Sequence, residues 1–116
     1  MFEQIDWREI NAGVPVNFHG DLHFENIIKN KNKITLLDWR EDFSSIKNYG
    51  DIYYDLAKIN HGLIIDHNII KRSKFDVKID KKKIKINFVQ SKENKDCQKL
   101  FFKFLKDNNY SLLKVK

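Results

Sequence analysis

Residues 27–37 read IIKNKNKITLL, two short runs of β-type residues on either side of Asn30, Lys31 and Asn32. Branched aliphatics separated by a polar, Asn-rich turn spell a β-hairpin. That hairpin constrains its surroundings. Folding back near Lys31 brings Asn26, about five residues before the turn, and Asp38, about seven after it, to the same open end of the ladder. Just upstream stands HGDLHFEN, residues 19–26, which packs two histidines, two carboxylates and an asparagine into eight positions. The stretch VPVNF before it, residues 14–18, carries Pro15 and is expected to be extended rather than helical.

The rest of the chain supplies helices and a second hairpin. Residues 40–50 are irregular in pattern, and GDIYYDLAKINHGLII then begins a helix. Asp51 is its natural N-cap, and Ile52, Leu56, Ile59 and Leu63 form one stripe for the core. FDVKID and KIKINF alternate apolar and polar around a charged tip, which predicts a hairpin over residues 75–88 with a wet polar face. Residues 91–107 read as a helix with Leu100, Phe101, Phe104 and Leu105 on one side, and Ser91 and Asn94 near its start. The expected fold class is therefore α+β, in a single domain spanning residues 1–116.

Charge and composition narrow the classes of function. Residues 1–70 hold seven Lys/Arg against eleven Asp/Glu, a balance of −4, whereas residues 71–116 hold fifteen against five, a balance of +10. A basic half attracts phosphates or acidic partners. Nucleic acid is disfavoured, because the lysines are scattered among Asn and Asp and no zinc-finger, helix-turn-helix or RNA-reading signature accompanies them. No apolar run approaches the roughly 20 residues that span a membrane, and the acidic opening MFEQIDWREI is unlike a signal peptide, so the expected compartment is the cytoplasm. The single cysteine, Cys97, excludes an internal disulfide and a cysteine metal cluster.

The polar residues around the first hairpin fit one reaction class. A loop aspartate, Asp21, an asparagine five residues on, Asn26, and a second aspartate beyond the hairpin, Asp38, supply a base and two oxygen ligands. Oxygen donors favour a hard cation, and a site with two protein ligands leaves room for water and substrate phosphates, which is how Mg²⁺ is usually held. In phosphoryl transfer the protein positions groups and neutralises charge, while a carboxylate accepts the proton of the attacking hydroxyl. Asp21 is assigned as that base, with Asn26 and Asp38 on the metal.

HGDLHFENII, then ITLLDW, then GDIYYDLAK together resemble the catalytic core of the aminoglycoside phosphotransferase and choline kinase family, small-molecule relatives of the protein kinases. The resemblance covers residues 14–65 and implies a protein-kinase-like C-terminal lobe, extended by the hairpin and helix of residues 75–116. It implies an ATP- and Mg²⁺-dependent phosphotransferase acting on a hydroxyl of a small molecule such as a sugar, choline or an aminoglycoside. It further implies that His19 braces the catalytic loop and that Asp51 or Asp55 anchors it from below. Relatives of this kind carry an N-terminal lobe that covers ATP with a Gly-rich loop and a lysine. Only eighteen residues precede His19, and four glycines, at 13, 20, 50 and 62, form no such loop. The chain thus resembles one part of a larger enzyme that needs its N-terminal lobe or a partner subunit. Alone it is expected to bind nucleotide weakly and not to turn over.

Other assignments compete residue by residue. A kinase-like module that binds or regulates without catalysis is the alternative function. His19, Asp21 and His23 in alternation suit zinc, but no further histidine motif completes a site. His23 and Glu25 are left to packing within the loop, and His61 and His67 to a helix end. Trp39, Glu41 and Asp42 follow the metal aspartate where substrate specificity would be expressed. With Phe43, Tyr49, Tyr53 and Tyr54 they would suit a cationic substrate through ring contacts, although packing accounts for most of the aromatics.

Overall fold

A computed structural model describes residues 6–65, 67–81 and 83–116, and the backbone but not the side chains of His67 and Asn68. The chain is mixed α and β, with five helices and four two-stranded antiparallel ladders among the described residues. The short helix α1 (Trp7–Asn11) is capped by the Asp6 carboxylate, which accepts from the Arg8 and Glu9 N–H groups. Strand β1 (Pro15–Val16) pairs with β6 (Gly50–Asp51). This extended stretch is where the proline placed it. A 3₁₀ turn, Phe24–Asn26, leads into β2 (Ile27–Asn30), which pairs with β3 (Lys33–Leu36) in the register Ile27↔Leu36 to Asn30↔Lys33. Lys31 turns the chain with φ +51°.

The segment read as irregular holds a small hairpin, β4 (Asp42–Phe43) and β5 (Ile46–Lys47). Its turn residues Ser44 and Ser45 both have positive φ, the pattern of a type I′ turn. Ser-Ser lacks the Asn-Gly signature of such turns, which is why sequence pattern passed over it. Helix α2 (Ile52–Ile64) begins where Asp51 caps it, accepting from the Tyr53 N–H. Tyr53, Asp55, Leu56, Asn60 and Leu63 are its buried residues, so the buried face is wider than the expected aliphatic stripe. Helix α3 (His67–Lys71) follows, then β7 (Phe75–Asp80) and β8 (Lys83–Phe88).

Helix α4 (Lys92–Asp107) starts at Ser91, whose hydroxyl accepts from the Asn94 N–H, and α5 (Leu112–Val115) closes the chain. The core lies where α2, α4 and α5 meet: Tyr53, Leu56, Leu105 and Val115, with Ile52, Phe101, Phe102 and Tyr110 packed around them. A polar strut crosses this junction. Asn60 donates to the Val115 carbonyl and accepts from Gln98. Leu100 and Phe104 leave the core and are exposed, because α4 turns only its Phe101–Leu105 side to α2.

All twelve strand residues of the second hairpin are exposed, and the apolar pairs Phe75↔Phe88, Val77↔Ile86 and Ile79↔Ile84 share one face, whose Phe75, Ile86 and Phe88 line a cavity with Ile65, Ile69 and Ile70. The Cα radius of gyration, 16.5 Å, exceeds the roughly 13 Å of a compact chain of this length. No helix among the described residues is long and apolar enough to cross a membrane.

Candidate active site

The loop after Phe18 is shaped from beneath by a helix. Asp55, one turn into α2 and buried, accepts from the N–H groups of both His19 (2.7 Å) and Gly20 (3.0 Å). Buried N–H groups need partners, and a carboxylate is a strong acceptor for two of them. Gly20 adopts φ +82°, and a Cβ there would lie 2.6 Å from Arg40 and 2.7 Å from Phe18, so only glycine fits this turn. Of the two aspartates named as anchors, Asp55 holds the loop. Asp51 instead caps α2 and accepts from the Val14 N–H at 3.0 Å, which fixes the segment leading into it.

His19 ties the loop to the hairpin. Its Nδ1 accepts from the Asp21 N–H (3.2 Å), so the ring proton belongs on Nε2, which donates to the Leu37 carbonyl (2.6 Å). The imidazole is buried and lies against Trp39, ring centres 4.9 Å apart. The His19 carbonyl accepts from the Arg40 N–H (2.9 Å). Loop and post-hairpin segment are thus bound to one another on both sides of Asp38.

Asn26 joins the same junction. Its Nδ2 donates to the Asp21 carbonyl (3.0 Å), and its own carbonyl accepts from the Leu37 N–H (2.9 Å), extending the ladder one step beyond Ile27↔Leu36. This leaves the Oδ1 of the amide as an oxygen donor. Asp38 follows directly in a left-handed conformation, φ +59°, uncommon for a residue with a side chain but better tolerated by Asp. It is exposed, and among the described residues its carboxylate has no hydrogen-bond or ion-pair partner. Asn26 and Asp38 therefore flank one ladder end, and an amide oxygen and a carboxylate are donors of the hard kind that Mg²⁺ takes. Among the described residues no three His, Cys, Asp or Glu side chains are gathered to hold a metal by themselves.

Asp21 gathers three basic side chains around it. Its carboxylate, 15% exposed, receives Lys58 Nζ on Oδ1 at 3.0 Å and Arg40 Nη2 on Oδ2 at 3.2 Å, with His23 Nε2 at 3.8 Å. The hydrogen bond from Lys58, aided by that from Arg40, outweighs burial and holds the Asp21 carboxyl below the usual carboxylate range. The same contact pushes Lys58 above the ordinary lysine value. Lys58 also stands 5.7 Å from the centre of the Tyr54 ring. The Nδ1 of His23 is buried with no hydrogen-bond partner among the described residues.

Sequence pattern missed Lys58 and Arg40. The signal was present: Lys58 is three residues after Asp55 on the same helix face, and Arg40 is two residues after Asp38. Trp39, Arg40 and Glu41, with Asn17, Phe18 and Asn48, line an open cavity of about 580 Å³, joined to Asp21 through Arg40. Trp39 lies against His19 and, with Glu41, lines that cavity, whereas Asp42 sits in β4 opposite Lys47, outside the lining. Of the aromatics, Phe43 packs edge-on between Phe18 and Tyr54, and Tyr53 is buried against Tyr110. His61 is exposed in the last turn of α2, and the side chain of His67 lies outside the described residues.

Comparison of the chain with family models, with curated proteins and with solved structures finds no match.

Proposed function

We propose that the chain is the catalytic lobe of a protein-kinase-like phosphotransferase, using ATP and Mg²⁺ to phosphorylate a hydroxyl of a small molecule. One observation carries this. A loop aspartate, an asparagine five residues later and an aspartate past a hairpin are drawn to one ladder end by His19, Asn26 and Asp55. In that arrangement Asp21 accepts the proton of the attacking hydroxyl. Asn26 and Asp38 would hold the metal, which supplies charge neutralisation between the phosphates when bound. The cavity beside Trp39, Arg40 and Glu41 would take the acceptor, and its open face is where a nucleotide-covering lobe or partner subunit would sit.

A second reading has its own support. Both oxygens of Asp21 are engaged by cations, as expected of a kinase-like module that binds or regulates without turnover. The two differ in an assay of the natural polypeptide that carries this chain at full length. Transfer of the γ-phosphate of ATP to a small-molecule alcohol in Mg²⁺, abolished by Asp21→Asn and by Asp38→Ala, supports the enzyme. Mg²⁺-dependent nucleotide binding without transfer selects the module, and absence of that binding discards the phosphotransferase.

A further inference from the structure

Two permanent cations face the single carboxylate of Asp21, one on each oxygen. The fold does not need both. Asp55 already holds the loop backbone, and ion pairs of part-exposed side chains such as Lys58 and Arg40, 36% and 59% exposed, add little to stability. They also come from separate elements, α2 and the segment after Asp38, so their convergence is a property of the tertiary fold. The buried, unpartnered Nδ1 of His23 belongs to the same cluster.

Their position relative to the proposed reaction is set by distance. An acceptor oxygen hydrogen-bonded to Asp21 lies about 3 Å from the carboxylate, and the phosphorus it attacks about 3–3.5 Å further on. Cations 3.0 and 3.2 Å from the two carboxylate oxygens stand beside the place where such an acceptor would meet Asp21. Charge on those oxygens is what a phosphotransferase must stabilise.

Resting on the phosphotransferase reading above, we propose that Lys58 and Arg40 are the catalytic cations that meet the transferred phosphoryl group, exchanging Asp21 for its oxygens as the acceptor binds. The acceptor oxygen forms its bond to the γ-phosphorus, the bond from that phosphorus to the β,γ-bridging oxygen breaks with its electron pair leaving on ADP, and the acceptor proton passes to Asp21. With Arg40 moved away, Asp21 regains a free oxygen to take that proton. The double pairing at Asp21 is thus the resting form of an active site.

The test is calorimetry on the full-length protein, with MgADP alone and with MgADP plus aluminium fluoride, a mimic of the phosphoryl group in flight. Wild type is expected to bind the fluoride complex far more tightly than MgADP. Lys58→Met should lose about 100-fold of that increment, the scale for removing one oriented donor, with MgADP affinity unchanged. Lys58→Arg should restore part of it, and Arg40→Gln should lose a smaller share. Should Lys58→Met fail to fold, Arg40→Gln, an exposed side chain, carries the test. Variants that keep the wild-type increment, or lose MgADP affinity in equal measure, overturn the role given to the cations while leaving the phosphotransferase standing. A wild type with no Mg²⁺-dependent ADP binding overturns both.

Discussion

The two longer hairpins of this chain are alike in pattern and opposite in attachment. β2–β3 and β7–β8 each reverse at a polar tip and pair in continuous register. The first is bolted at its open end: Asn26 to Asp21, Leu37 to Asn26 and His19 to Leu37. In the second, among the described residues, the hydrogen bonds of the strands stay within the hairpin and the tip end of its apolar face is bare, Ile79 and Ile84 being 78% and 69% exposed. Strand pairing is a local property, whereas anchoring depends on groups far away in sequence. An isolated two-stranded ladder is marginal in water, so the first hairpin draws its rigidity from the loop and α2.

The largest expected effect comes from cutting the anchor. Asp55→Ala strands two buried N–H groups, each costing about 1–3 kcal/mol, and should lower the urea midpoint accordingly. Amide exchange at His19 and Gly20 should accelerate far more than at Val77 or Ile79. Equal acceleration in both hairpins would erase the contrast drawn here. Next is Gly20→Ala, where positive φ and the close approach of Arg40 and Phe18 combine to cost about 2 kcal/mol. A neutral result in thermal melts would mean the loop relaxes freely. On the other hairpin, Ile79→Thr with Ile84→Thr should change stability by less than about 0.5 kcal/mol, as for surface positions generally. A cost of several kcal/mol would show that this face is buried in the folded protein.

The smallest effect is electrostatic. Because Lys58 and Arg40 hold the Asp21 carboxyl below the usual carboxylate range, its contribution to stability is present above that range and lost as pH falls through the folded value. Lys58, pushed above the ordinary lysine value by the same contact, contributes below that value and loses its share as pH climbs through the raised one. The pair is therefore intact between those limits. A carbon-13 titration of the Asp21 carboxyl should move upward in Lys58→Met, and an unchanged midpoint would refute the pairing.

What could be read from sequence follows the same division. Local patterns located both hairpins, the Asp51 cap and the Ser91 start of α4, since turn chemistry, alternation and capping act over a few residues. Folding back near Lys31 anticipated Asn26 and Asp38 at one ladder end, because hairpin register is arithmetic. The choice of Asp55 over Asp51 as anchor depended on how α2 docks beneath the loop, which periodicity does not state. Lys58 and Arg40 were hidden for the same reason. Leu100 and Phe104 look like core in a helical wheel and are not, since α2 and α5 cover only part of α4.

The central claim is that Asn26 and Asp38 share one divalent-cation site beside Asp21. Titrating the ¹⁵N-labelled chain with Mn²⁺ in place of Mg²⁺ tests it most directly, because the paramagnetic ion broadens amides near where it binds. Broadening should be strongest from Asp21 to Asn26 and at Asp38, and should vanish there in Asp38→Ala. Broadening centred elsewhere, or unchanged by that substitution, would contradict the claim.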